Sequence, residues 1–192
     1  WDGTNWTEIA NINTARYEGI GGSGTTTSGM IFGGKEPAQS ARTELWNGTA
    51  WTEVNDLNTA RARIAAATKG TVNATLGFGG NPARAITESW DGTSWTEVAD
   101  LNTARQEMGG AGTQASALGY GGNTDAVSAL TEAWNGSSWS EVNDMATARR
   151  HATTGSGSAQ SAIQASGETD AVVVNTEEWT VPESITNLVM TD

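Results

Sequence analysis

Trp90-Asp91-Gly92-Thr93-Ser94-Trp95-Thr96-Glu97-Val98, closely followed by Leu101-Asn102-Thr103-Ala104-Arg105, is one copy of a phrase that the chain repeats along its length. Two tryptophans five residues apart flank an Asp-Gly dipeptide, and an arginine lies fifteen residues beyond the first of them. The first slot is filled by Trp1, Trp46, Trp90, Trp134 and Trp179, a period of 44 or 45, and the second by Trp6, Trp51, Trp95 and Trp139, which accounts for all nine tryptophans. The arginines are Arg16, Arg61, Arg105 and Arg149. A repeat of this length, punctuated by turn dipeptides and without helical periodicity, predicts the blades of a β-propeller.

Each repeat reads as four strands. Strand a begins near Ala15-Arg16 and its equivalents. Strand b is Met30 to Gly34, Leu76 to Gly80, Leu118 to Gly122 and, more weakly, Ile163 to Gly167. Strand c is the Thr-Glu-x-Trp tract, and strand d is Trp-Thr-Glu-Val or a close variant. Asp2-Gly3, Asn47-Gly48, Asp91-Gly92 and Asn135-Gly136 supply the positive φ that the c–d hairpin requires. The two tryptophan rings should therefore face one another across that hairpin.

Counting from the front gives one strand d at 4–10, then blades at 15–54, 60–98 and 104–142, and a fourth at 148–181 that lacks its strand d. The expectation is an all-β, four-bladed ring closed by pairing of the N-terminal strand with the strand around Glu177-Trp179, which removes two exposed edges. Residues 182–192 follow a proline and read as a tail or linker, and a first residue of Trp1 rather than Met suggests a segment of something longer.

The Gly-Gly pairs that end strand b (Gly33-Gly34, Gly79-Gly80, Gly121-Gly122), the aromatic before each (Phe32, Phe78, Tyr120) and the tryptophan about a dozen residues on resemble kelch-type propeller repeats over residues 1 to about 181. The Asn-Thr-Ala-Arg and Thr-Glu-x-Trp wording is similar to repeats in tail and surface proteins of marine bacteriophages. The resemblance implies a propeller fold and an extracellular or virion-surface setting; kelch-like propellers serve as enzymes, scaffolds and adhesion modules, so it implies no single activity. The fourth repeat departs from the pattern, with Ala165-Ser166-Gly167 in place of aromatic-Gly-Gly and His151 after Arg150.

Composition narrows the partners. With 22 acidic against 10 basic residues the net charge is −12, which disfavours nucleic acid and anionic lipid surfaces. No apolar run is long enough for a membrane span, so direct membrane insertion is not expected. Zero cysteines remove disulfides, thiolate nucleophiles and the cysteine-modified tyrosine of a kelch-type copper-radical oxidase. Ser89-Trp90-Asp91-Gly92-Thr93-Ser94-Trp95 approaches a sialidase box but lacks a residue between Asp and Gly, and neither Tyr17 nor Tyr120 sits in an acid–base constellation. The chain is expected to be non-catalytic and to need no cofactor. Calcium is conceivable at Asn11, Asp56, Asp100 and Asp144, but turn capping explains those residues better.

Residues repeated in every blade serve what every blade needs. The tryptophans are assigned to packing between sheets. Arg16, Arg61, Arg105 and Arg149 are matched in number by Glu44, Glu88, Glu132 and Glu177, and the expectation is a bidentate pair in each repeat rather than a ring that clamps a ligand. Recognition belongs where blades differ. The b–c loops share almost nothing, and Lys35, Glu36, Asn81, Arg84, Asn123, Asp125 and Asp170 are the candidate binding residues for a glycan or a surface protein. A purely structural spacer and a glycosidase-like enzyme are the alternative readings.

Overall fold

A computed structural model describes residues 3–18, 21–151 and 156–181; Trp1 and the 182–192 tail lie outside them. Among the described residues all regular structure is β, in one main sheet per repeat and a two-stranded hairpin in the first. The first repeat forms β1 (Gly21–Gly24), β2 (Gly29–Phe32), a short hairpin of β3 (Lys35–Glu36) and β4 (Ala38–Gln39), then β5 (Thr43–Trp46) and β6 (Trp51–Val54). The second forms β7 (Ala65–Ala66), β8 (Thr75–Phe78), β9 (Thr87–Trp90) and β10 (Trp95–Glu97). The third forms β11 (Gly109–Thr113), β12 (Ser116–Tyr120), β13 (Thr131–Trp134) and β14 (Trp139–Glu141). The fourth forms β15 (Ser156–Gly157), β16 (Ser161–Ala165) and β17 (Thr176–Thr180). Each main sheet is an antiparallel meander, four-stranded in the first three repeats and three-stranded in the fourth. Four such sheets in succession are consistent with a four-bladed propeller.

The c–d hairpins follow the sequence reading residue for residue. Trp46 is opposite Trp51, Trp90 opposite Trp95 and Trp134 opposite Trp139, with ring centroids 5.4–5.5 Å apart. The turn between them is held by its first side chain. Asn47 Oδ1, Asp91 Oδ1 and Asn135 Oδ1 each accept two backbone N–H groups, from the residues two and three positions on. In the second and third repeats the innermost strands start later than expected, at Ala65 and Gly109. There the fixed arginine therefore precedes its sheet rather than opening it.

The second tryptophan of a hairpin reaches back to the preceding sheet. Trp95 meets Phe32 edge-on at 4.8 Å and donates its Nε1–H to Thr43 Oγ1 (2.9 Å); Trp139 repeats this on Phe78 (4.8 Å) and Thr87 Oγ1 (3.0 Å). These two rings, with Met30, Leu57, Leu76 and Leu101, make up the cores between sheets one and two and between sheets two and three. An aromatic pair of this kind contributes about 0.5–1.5 kcal/mol beyond the area it buries.

The fixed arginine and glutamate form an ion pair within each repeat: Arg16–Glu44 (2.7 Å), Arg61–Glu88 (2.8 Å), Arg105–Glu132 (2.7 Å) and Arg149–Glu177. Its geometry differs from the expected bidentate clasp. Arg61 Nη2 donates to Glu88 Oε1, while Nη1 donates to the carbonyls of Gly79 and Ile86 at the two ends of the b–c loop (2.8 Å each). Glu88 Oε2 is taken by Asn58, through both its backbone N–H (2.7 Å) and its side-chain amide (2.9 Å). Asn13 and Asn102 do the same for Glu44 and Glu132. The Asn-Thr-Ala-Arg phrase is thus one device that ties the start of a repeat to its strand c. Burial lowers the Arg61 and Arg105 pKa values despite the carboxylate beside each, so desolvation outweighs attraction. The pairs accordingly specify geometry more than they add stability.

Asp56 Oδ1, Asp100 Oδ1 and Asp144 Oδ1 each accept the N–H of the first residue of strand c, Thr43, Thr87 and Thr131, at 3.1–3.3 Å. Their repetition reflects this strand-capping task. Among the described residues, the segment expected as the fourth sheet's outer strand, 4–10, carries no strand, and Trp6 is 85% exposed.

Candidate functional site

Two residues beyond each fixed arginine the backbone enters the left-handed region: Glu18 (φ 60°), Arg63 (φ 54°), Glu107 (φ 59°) and His151 (φ 55°). None is glycine, so each carries a conformational cost of order 1–3 kcal/mol that its surroundings must offset. The offset is visible in the chain of contacts from repeat to repeat. Arg63 N–H donates to the Glu18 carbonyl (2.8 Å) and Glu107 N–H to the Arg63 carbonyl (3.4 Å). The Arg63 guanidinium pairs with Glu107 Oε1 and stands 3.6 Å from Glu18 Oε2; His151 Nε2 lies 3.6 Å from both Glu107 Oε2 and Glu168 Oε2. Glu107 is buried, and its Oε2 has no hydrogen-bond partner.

The variable loops begin beside this row. The residue after each fixed arginine bridges to the first loop residue: Tyr17 to Lys35, Ala62 to Asn81, Gln106 to Asn123 and Arg150 to Glu168. Side chains then connect neighbouring loops. Gln39 Nε2 donates to Asn81 Oδ1 (2.9 Å), and Asn81 Nδ2 donates to Gln106 Oε1 (2.5 Å). Lys35 Nζ sits 5.8 Å from the Tyr17 ring centroid and 3.5 Å from Glu18 Oε1. Arg150 pairs with Glu168 and, through that hydrogen bond, holds the Glu168 carboxyl below its usual range.

Of the seven candidate binding residues, Lys35, Asn81 and Asn123 are brought together along this row. Asp125 and Asp170 stand exposed at loop tips. Glu36 and the Arg84 backbone also make contacts within the frame. Glu36 Oε1 accepts from Ser40 Oγ (2.9 Å) and Arg42 Nε (2.8 Å), and the Arg84 carbonyl accepts the Arg105 N–H (3.0 Å). Burial raises the Glu36 pKa, but the Ser40 and Arg42 bonds overcome it and leave a net lowering. Glu18, Arg63, Gln106 and Glu107 were not among the sequence candidates. Glu18, Arg63 and Glu107 share a signal, a fixed offset of two from the repeated arginine at which the side chain varies between repeats; Gln106 lies one residue after its arginine.

No known family model matches the chain, and no characterised protein matches it either. The arrangement is left to speak through its chemistry, which is that of paired charges, amides and one tyrosine face. The Tyr120 hydroxyl lies inside, between sheets, where burial pushes its pKa up to about 12, the opposite of what a nucleophile requires. Among the described residues no three His, Asp or Glu side chains are placed to hold a metal ion, and no helix is long and apolar enough to cross a membrane.

Proposed function

We propose that the chain is a four-bladed, kelch-like propeller, closed by residues 4–10 as the outer strand of the fourth sheet, and that it acts as a non-catalytic binding module on a phage tail or cell surface. Its target is a glycan or surface protein. The observation that carries this reading is the row Glu18, Arg63, Glu107 and His151: one frame position filled by three kinds of side chain, acidic, basic and imidazole, each held in a strained backbone conformation. Strain retained at equivalent positions while identity varies fits selection for what the side chains present. The adjoining amides of Gln39, Asn81 and Gln106 and the Tyr17 ring suit a hydroxyl-rich ligand. The phage setting rests on the likeness of the repeat wording alone.

One observation favours a structural spacer instead, namely that Lys35 with Glu18 and Arg150 with Glu168 already satisfy one another. A variant with Lys35, Asn81 and Asn123 all changed to serine separates the two. A binding module loses at least tenfold in glycan-array or cell-attachment signal with little change in melting temperature. Unchanged attachment rejects the loop face.

A further inference from the structure

We infer that the cleft between the third and fourth sheets is the seat of the Trp6 indole of the same chain. Between sheets one and two, and again between two and three, an indole fills the space against an aromatic ring and a threonine hydroxyl. At the next interface the corresponding frame is Leu118, Tyr120, Thr131, Met145, Ala162 and Trp179, and these residues line a cavity of about 70 Å³. One water needs only ~10–15 Å³, so this is a gap several times that size and not a small packing fault. The Tyr120 hydroxyl inside it has no hydrogen-bond partner.

The exposed apolar side chains point to the occupant. Trp6, Ile9 and Tyr17 lie at one end of the described chain and Ile163, Val172, Val174 and Val181 at the other, with none in the second and third repeats. The connector has the right length: Asn13 is anchored to Glu44 and the Trp51 carbonyl as Asn58 is to Glu88 and the Trp95 carbonyl, and Trp6 precedes Asn13 by the same seven residues that separate Trp51 from Asn58. Among the described residues, the fourth sheet is the one that stands a strand short.

The register follows from the other hairpins. Trp6 pairs with Trp179, Thr7 with Glu178, Glu8 with Glu177 and Ile9 with Thr176, as Trp139 pairs with Trp134 and Ser140 with Ala133. Trp6 Nε1 then donates to Thr131 Oγ1, and Asn11 caps Thr176, which is exposed where Thr43, Thr87 and Thr131 are buried.

This inference rests on the closed-propeller reading and is tested without any ligand, so failure of the loop-face assay leaves it standing, and the reverse. The chain has no cysteine of its own. The full chain carrying Thr7→Cys and Glu178→Cys is oxidised and compared by non-reducing electrophoresis and peptide mapping with a control carrying Ala133→Cys and Ser140→Cys, the same register in the third sheet. The expected result is an intrachain disulfide in the monomer at a yield comparable with the control. A disulfide found only in dimers means that a second copy fills the slot and overturns the assignment, as does absence of the bond when the control forms. A second measurement addresses the indole itself. Trp6→Ala and Thr131→Val should each lower the unfolding midpoint, with a double variant less affected than the sum; additive effects place Trp6 elsewhere.

Discussion

The third and fourth repeats use the same frame with different fidelity, and the difference shows which parts of the phrase carry the fold. In the third repeat Asn102 closes one oxygen of Glu132, Arg105 takes the other, and both charged side chains are fully buried. In the fourth the asparagine is Ala146, so Glu177 Oε2 receives a backbone N–H alone (2.6 Å) and its side chain is 22% exposed. Phe78 and Tyr120 give way to Ala165. The first position of the glycine pair shows the same relaxation. A side chain at Gly79 would put its Cβ 2.7 Å from the Arg105 carbonyl of the following repeat, whereas the matching Ser166 keeps the left-handed conformation (φ 62°) with a side chain. Where a following sheet presses on the position, glycine is obligatory; where the joint is looser, the backbone shape survives without it.

The largest expected effect comes from breaking the comparison at its centre. Arg105→Leu leaves Glu132 buried without its cation, at a cost of about 3–5 kcal/mol. Arg149→Leu should cost clearly less, because Glu177 can turn to solvent. Urea unfolding of the two variants side by side checks this, and equal losses would mean that the fourth pair is as buried in solution as the third.

A smaller effect sharpens the comparison by repair. Ala146→Asn restores the amide that Asn58 and Asn102 supply, and should stabilise the fourth repeat by about 1 kcal/mol, the net value of one well-placed hydrogen bond. Hydrogen exchange on the amides of β17 reads the gain locally. If the fourth sheet is loose for another reason, such as Ala165, those amides will not slow.

Much of this difference was legible from residue types alone. The c–d hairpins could be read because two tryptophans and a turn dipeptide leave one register, and the Arg–Glu pairs could be read from their equal numbers. Asn58 and Asn102 could not, since an amide that caps a glutamate thirty residues on leaves no local pattern. Strand a was misplaced because Gly109-Gly110-Ala111-Gly112 has no alternation to read. Its composition answers instead to contact between sheets, where a Cβ on Gly110 would sit 2.3 Å from the Ala66 carbonyl. The row at Glu18, Arg63, Glu107 and His151 was hidden for a related reason: left-handed backbone usually announces itself with glycine or asparagine, and here it does not.

The smallest effect concerns the turns, where repeats agree in shape but not in charge. Asp91 stands where Asn47 and Asn135 stand in the first and third sheets, and accepts the same two N–H groups. The Ser94 and Thr93 amides hold the Asp91 carboxyl below its usual range, so folding favours the ionised form. Its contribution is therefore complete above the unfolded-state value, roughly 3.9, and is lost as pH falls through the lower folded value. Asp91→Asn keeps the acceptor oxygen and removes the titration. Its stability should lie slightly below that of the parent chain at pH 7, and the gap should close as pH falls from the unfolded value, roughly 3.9, through the lower folded value. Urea midpoints for both chains across that range test the sign, and a gap that stays constant would show that the turn reads the oxygen and not the charge.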